Sequence, residues 1–207
     1  MAKLHFTYGV MAASKSAELC IQAHNLRVSG NSYEVLKPSA ENRDSETEVV
    51  SRIKGLREPA RALPNLDNYK QKSDTQFILI DEVHFFKPTD VDKLVKIADS
   101  TDITIFCWGL NVDSDGKMFD TAAKLFVEAN EIERKETVCQ MMNCTAMASH
   151  HLKFDEKGNI IRHGVQLECG GDEKYVSVCR SCFHKYYDNP SANLLEYIRM
   201  KRLQKVK

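Results

Sequence analysis

Apolar positions along the chain change their period several times, and each change marks an element. LHFTY (4–8) is a short apolar run that enters a glycine turn and reads as a strand. KSAELCIQAHNLRVSG (15–30) carries Leu19, Ile21, Ala23 and Leu26 at helical spacing and stops at Gly30. SYEVLKP (32–38) reads as a second strand. SAENRDSETE (39–48) is polar and short of core residues, which predicts a mobile loop. QFILID (76–81) and ITIFCWGL (103–110) are continuous apolar runs, the pattern of strands buried on both faces. PTDVDKLVKIADS (88–100), beginning near Pro88, and FDTAAKLFVEAN (119–130) have the spacing of amphipathic helices.

Strands alternating with helices predict an α/β fold with a mostly parallel sheet covered on both faces. The alternation stops near residue 131. Two cysteine pairs follow, with a hairpin turn at DEKGN (155–159) and a short strand at YVSVC (175–179), which marks a boundary. The tail SANLLEYIRMKRLQKVK (191–207) has the composition of a basic helix. A solvated helix is the plain expectation for it, and a protein or nucleic-acid contact has no other support.

Composition narrows the class. The chain has 207 residues, 43% hydrophobic and 28% charged, with a formal net charge of zero. That balance gives no bulk attraction to nucleic acid or membrane. No stretch approaches the roughly 18–20 apolar residues of a membrane span. The start, MAKLHFTYGV, lacks a signal-peptide pattern, so an intracellular, cytoplasmic location is expected (host cytoplasm for a viral chain).

The first chemistry lies between the first strand and the first helix. YGVMAASKSAEL (8–19) nearly fits G-x-x-x-x-G-K-[ST], with Gly9, Lys15 and Ser16 in place and Ser14 where the second glycine belongs. Such a turn aims the amides of Met11, Ala12, Ala13 and Ser14 at one point, where the helix N-terminus adds partial positive charge. Lys15 would neutralise outer phosphates and the Ser16 hydroxyl would ligate magnesium. Ser14 at positive φ costs on the order of 1 kcal/mol, tolerable in a braced loop. The alternative is a relaxed loop whose amides no longer converge. ILIDEVHFF (78–86) ends an apolar strand in Asp81 and Glu82. An acid at the carboxyl end of a neighbouring strand holds magnesium in P-loop enzymes, and Glu82 is placed to accept a proton from an attacking hydroxyl. The plain alternative is two acids ending a strand in solvent.

Cys139 and Cys144 are separated by four residues, Cys179 and Cys182 by two. Two such pairs fit a closed, structural Cys₄ zinc site, with His150, His151 and His184 as alternative ligands. Cys20 and Cys107 sit in apolar segments and read as buried thiols.

In this order and spacing, the chain resembles the small, zinc-containing, P-loop thymidine kinases of bacteria, phages and vertebrate cytosol. The likeness runs through FTYGVMAASKS (6–16), LKPSAENRDS (36–45), VVSRI (49–53), ILIDEVHFF (78–86), WGLNVDSDGKMF (108–119) and GGDEKYVSVCRSCF (170–183). It implies a RecA-like P-loop NTPase fold with a small zinc-binding lasso domain. The division expected is 1–136 for nucleotide binding, 137–187 for the lasso and 188–207 for the tail. It implies transfer of the γ-phosphate of ATP to the 5′-hydroxyl of thymidine or a related deoxynucleoside, for salvage of DNA precursors. By resemblance, Gly9, Met11, Ala12, Ala13, Ser14, Lys15 and Ser16 with Arg43 and Arg52 serve ATP, Ser16 and Asp81 serve magnesium, and Glu82 is the base. Met11, Phe86, Leu110, Phe119, His151 and Tyr175 line the nucleoside pocket. The family commonly forms tetramers.

Departures from the family pattern cluster at the site. Besides Ser14, Glu41 replaces an aspartate, His84 a glutamine, Asn111 and Asp115 arginines, and Ser114 an aromatic that packs on the base. His151 falls near a position usually held by a small residue. Loss of an aromatic–base contact forfeits roughly 1–3 kcal/mol, and the lost arginines disfavour a nearby phosphate. A catalytically impaired relative with a binding, regulatory or assembly role is therefore the second reading.

Overall fold

The computed structural model describes residues 3–41, 45–163 and 174–204, with 201–204 described by backbone alone. In chain order the elements are β1 (Leu4–Tyr8), α1 (Lys15–Val28), β2 (Tyr33–Pro38), β3 (Glu48–Val50), β4 (Arg57–Pro59), β5 (Arg61–Leu63) and β6 (Phe77–Ile80). A 3₁₀ turn (Val83–Phe85) leads to α2 (Pro88–Ser100), β7 (Thr104–Gly109), α3 (Asp120–Glu128) and β8 (Glu131–Arg134). The chain ends with β9 (His150–Lys153), β10 (Tyr175–Val178), α4 (Arg180–Tyr187) and α5 (Leu195–Gln204).

Six strands form one sheet in the order β5-β2-β6-β7-β1-β8, and every pairing is parallel. Its central strands are the continuous apolar runs, because both of their faces are covered. Leu19, Cys20, Ala23 and Leu26 of α1 pack with Val49 on Val35, Leu79 and Trp108. Val91 and Leu94 of α2 and Ala122 and Leu125 of α3 pack on Leu4, Phe6, Ile78, Ile80 and Ile105 from the opposite side. Cys20 and Cys107 are buried there, and burial raises both thiol pKa values, that of Cys20 to about 11.

Topology corrects one expectation. The acidic strand β6 is not the neighbour of β1, because β7 is inserted between them. All the strands still end on one edge, since the sheet is parallel, so β1, β6 and β7 deliver their C-terminal loops to the same side.

A third core is separate. Cys139, Met141, Leu152, Phe154, Val176, Val178, Cys179 and Phe183 pack around the antiparallel pair β9–β10. The expected turn at 155–159 is present: Asp155 N–H donates to Asn159 O, with Gly158 at φ 81°. The start of the basic tail belongs to this core rather than to solvent. Leu194 is 1% and Tyr197 8% exposed, and Leu194 N–H donates to Gly158 O.

Candidate active site

Residues 9–16 form a tight loop between β1 and α1. Ser14 adopts φ 58°, ψ 23°, the left-handed conformation that the missing glycine would take, and Ala12 does the same at φ 60°. Each costs about 1–2 kcal/mol for a residue with a side chain. The surroundings hold the loop in this shape. Gly9 N–H donates to Gly109 O, and a Cβ on Gly9 would lie 2.5 Å from Lys135 O, so only glycine fits beneath that crossing segment. Glu18 N–H donates to Ser14 O. The Glu18 carboxylate accepts from Trp108 Nε1 at 3.0 Å and pairs with Lys135 Nζ at 2.8 Å. Ser177 Oγ, from β10, donates to Met11 O at 2.7 Å.

Among the described residues, the amides of Met11, Ala12, Ala13 and Ser14 have no protein acceptor. They join the N-terminal dipole of α1, the requirements of an anion cradle. Lys15 is 7% exposed, and its Nζ donates to Val10 O at 2.9 Å and Gly9 O at 3.1 Å. The cation therefore sits on the loop's own carbonyls.

Across the cleft stands Glu82, just past β6, at φ 49°, ψ 39°. A left-handed conformation in a residue with a long side chain is strain of the kind found at functional sites. The Glu82 amide is held by Asp81 Oδ1 at 3.0 Å. Asp81 is 5% exposed, and desolvation, then the nearby Glu82 charge, raise its pKa to about 7, against lowering by Ser16 and Lys15. Ser16, Asp81, Glu82, Glu41 and Glu48 line a small recess continuous with the main cleft. Lys37 pairs with Glu41 at 2.7 Å, both buried. His84 accepts from Leu110 N–H at Nδ1, 3.1 Å, so that nitrogen carries no proton. The 3.5 Å approach of Glu82 Oε2 to the same atom is therefore not an ion pair.

The main cleft encloses about 1110 Å³ of space open to solvent. It brings together Met11, Ala12, Ala13, Ser14, Lys15, Ser16, Arg52, Glu82, Leu110, Phe119, His151 and Tyr175, residues named from the sequence. Gly9 supports the loop from behind. Arg43 lies outside the described residues. Phe86 is a correction: it is 4% exposed in the main core and does not line the cleft, whereas Phe85 does. His84, Asp113 and Ser114 also reach the cleft, with Glu41 beside them.

His151 stands at the wall made by β9, edge-on to Tyr175 with ring centroids 5.8 Å apart. It is 2% exposed, and among the described residues its Nδ1 has no hydrogen-bond partner. Burial, followed by the nearby Lys15 charge, lowers its pKa to about 3, so the ring is neutral. Asp115 does not line the cleft, contrary to the expectation that its charge faces a phosphate. It is engaged with Tyr187 and the His163 amide.

The four cysteines of the two pairs converge. Their Sγ atoms all lie within 4.8 Å of one another, and Cys144 and Cys179 are 3.8 Å apart. A tetrahedral zinc with bonds near 2.3 Å places sulfurs about 3.8 Å apart. Cys179 caps α4, accepting from Cys182 N–H at 3.4 Å. The donor set fits structural zinc, and no histidine is needed. Among the described residues no helix is long and apolar enough to cross a membrane.

The sequence model of the thymidine kinase family matches residues 2–183. The chain is 37% identical to the thymidine kinase of Enterobacteria phage T4 over 187 residues, 87% of this chain and 94% of that one. It is 32% identical to the thymidine kinase of Shewanella oneidensis over 193 residues (90% and 98% of the two chains) and 31% to that of Ruegeria pomeroyi over 198 (93% and 98%). This family consists of phosphotransferases acting on nucleosides, which implies ATP and a divalent cation. A left-handed strand-to-helix loop, an acidic recess, a four-cysteine cluster and a family match over residues 2–183 lead to one conclusion: the chain belongs to the thymidine kinase family.

Proposed function

We propose that the protein transfers the γ-phosphate of ATP to the 5′-hydroxyl of thymidine or a closely related deoxynucleoside. The reading is carried by one observation: Met11 to Ser14, whose amides have no protein acceptor among the described residues, and Glu82 line the same cleft. In this mechanism those amides, with Lys15 and Arg52, hold the ATP phosphates. Ser16 and Asp81 would hold magnesium, which would supply positive charge against the phosphates. Glu82 takes the proton from the 5′-hydroxyl as that oxygen attacks. The nucleoside lies toward Phe85, Leu110, Phe119, His151 and Tyr175, the end of the cleft closed by the zinc-held unit. Residues 1–136 then act as the nucleotide-binding domain and 137–187 as the lasso, in a homotetramer such as the resemblance implies.

A second reading, a catalytically impaired relative that binds without efficient turnover, draws on Ser114, which lines the cleft where an aromatic is expected. Product formation from thymidine and magnesium-ATP separates the two. Turnover is expected, and Glu82→Gln is expected to lower kcat by about 10²–10⁴. No product from thymidine or any other deoxynucleoside, together with no heat on titrating magnesium-ATP, overturns the proposal.

A further inference from the structure

The turn Asp113–Gly116 supplies two residues to the cleft wall, Asp113 and Ser114, yet it is short and lies outside the main sheet. Its internal bonds are local. Asp113 N–H donates to Lys117 O, and Asp113 Oδ1 accepts from the amides of Asp115 and Lys117, both at 2.9 Å. Its anchors outside the turn include α4 and the His163 amide. Gly116, at φ 76°, lets the turn approach so closely that a Cβ would lie 3.3 Å from Phe183 Cζ. Phe183 is stacked between His150 and Tyr187, at 4.6 and 4.8 Å.

Tyr187 ends α4, and its hydroxyl donates to Asp115 Oδ1 at 2.9 Å; the same oxygen accepts from His163 N–H at 3.0 Å. The Asp115 side chain is 10% exposed. Burial, then the Asp115 carboxylate, hold the Tyr187 pKa up at about 12, so the hydroxyl remains a donor. Arg162 fixes the other side of Tyr187. It donates to the carbonyls of Tyr187, Tyr186 and Asn189 at 2.6, 3.0 and 2.9 Å, with its guanidinium 5.5 Å from the Tyr187 ring centre. A cation on helix C-terminal carbonyls is favoured by the macrodipole.

We propose that Asp115 and Tyr187 are positioning residues that lock the 113–116 turn onto α4 and so set the nucleoside end of the cleft, leaving the phosphate loop untouched. This rests on the assignment of that end to the nucleoside. The zinc-held unit meets the two ends of the site through different bonds. Ser177 to Met11 serves the phosphate loop, and Tyr187 to Asp115 serves the base wall. Loosening the second bond affects one substrate and not the other. An arginine at position 115, as the family pattern has, would abolish the acceptor.

The test uses the full chain, with thymidine and magnesium-ATP titrated separately by calorimetry and amide hydrogen exchange followed over residues 111–118. Tyr187→Phe removes the hydroxyl and keeps both ring contacts. It is expected to weaken thymidine binding by up to about tenfold, less than the full worth of one hydrogen bond to a charged group, because the bond acts through the turn and not on the ligand. Magnesium-ATP affinity should stay within about twofold, while exchange at Asp115 and Lys117 rises. Asp115→Ala, which also loses the His163 amide bond, should cost at least as much as Tyr187→Phe; Asp115→Asn should recover most of that loss, and the double variant Tyr187→Phe/Asp115→Ala should be no worse than Asp115→Ala alone. Equal weakening of both ligands, or faster exchange with unchanged thymidine affinity, overturns the positioning role. Wild-type protein that binds no nucleoside removes the nucleoside assignment and this proposal together.

Discussion

The two ends of the cleft answer substitution in different ways. At the phosphate end, Ser14 replaces a glycine, yet the backbone keeps the left-handed turn and the amides around it stay without protein partners among the described residues. On the proposed reading the recognising atoms there are main-chain N–H groups, so a side chain at position 14 acts mainly through the φ it tolerates. At the end proposed for the base, the lining includes Ser114, His151, Phe119 and Tyr175. Each change there alters shape, polarity or both. Sites built from backbone absorb a substitution as strain, whereas sites built from side chains convert it into specificity.

The largest effect expected from this contrast is at His151. Its folded pKa is about 3, below the 6.5 of an unfolded histidine. Below pH 6.5 the unfolded chain takes up a proton that the folded chain refuses, so stability is full above pH 6.5 and falls as pH drops toward 3. The slope approaches about 1.4 kcal/mol per pH unit. Denaturant unfolding at about pH 7.5 and about pH 5, on either side of the free histidine value, should show a steeper loss for wild type than for His151→Thr. Parallel losses would mean that the ring charges freely and that the base end is less dry than its burial implies.

Restoring an aromatic should be the next largest effect. Ser114→Phe should tighten thymidine binding by roughly 1–3 kcal/mol if the ring stacks on the base, with magnesium-ATP unchanged. A loss of affinity would show that Ser114 faces a substrate group that needs its hydroxyl. Smallest is Ser14→Gly. Relief of one left-handed residue offers about 1–2 kcal/mol of stability, partly cancelled by the greater freedom of glycine in the unfolded chain. Magnesium-ATP affinity should change only a few-fold. A gain of about a hundredfold, some 2.7 kcal/mol, would show that Ser14 had disabled the loop, and the contrast between the two ends would fail.

Much of this is legible in the sequence. Apolar runs locate β1, β2, β6 and β7 to within a residue or two, because parallel strands covered on both faces must be apolar on both; β10, in the antiparallel pair, is located as closely. The cysteine spacing foretells the four-sulfur cluster. Sequence reading selects Phe86 for the pocket and misses Phe85. The chain leaves β6 through a 3₁₀ turn, Val83–Phe85, where the two-residue alternation of a strand no longer says which side chain faces the cleft. Leu194 and Tyr197 read as part of the basic tail because their lysine- and arginine-rich neighbours mask two anchors that only the third core reveals.

By itself, the order of residues determined the parallel sheet, the left-handed loop, the strand-end acids, the four-cysteine cluster and the family, since each depends on local periodicity or on fixed spacing. Three matters waited for the tertiary structure: that β7 separates β1 from β6, that His151 is dry and neutral, and that Asp115 binds Tyr187 rather than facing phosphate. All three depend on groups remote in the chain, such as Asp115 and Tyr187, 72 positions apart, or His151 and Tyr175 on paired strands. Desolvation and the choice of hydrogen-bond partner act on distance in space, which residue order alone does not contain.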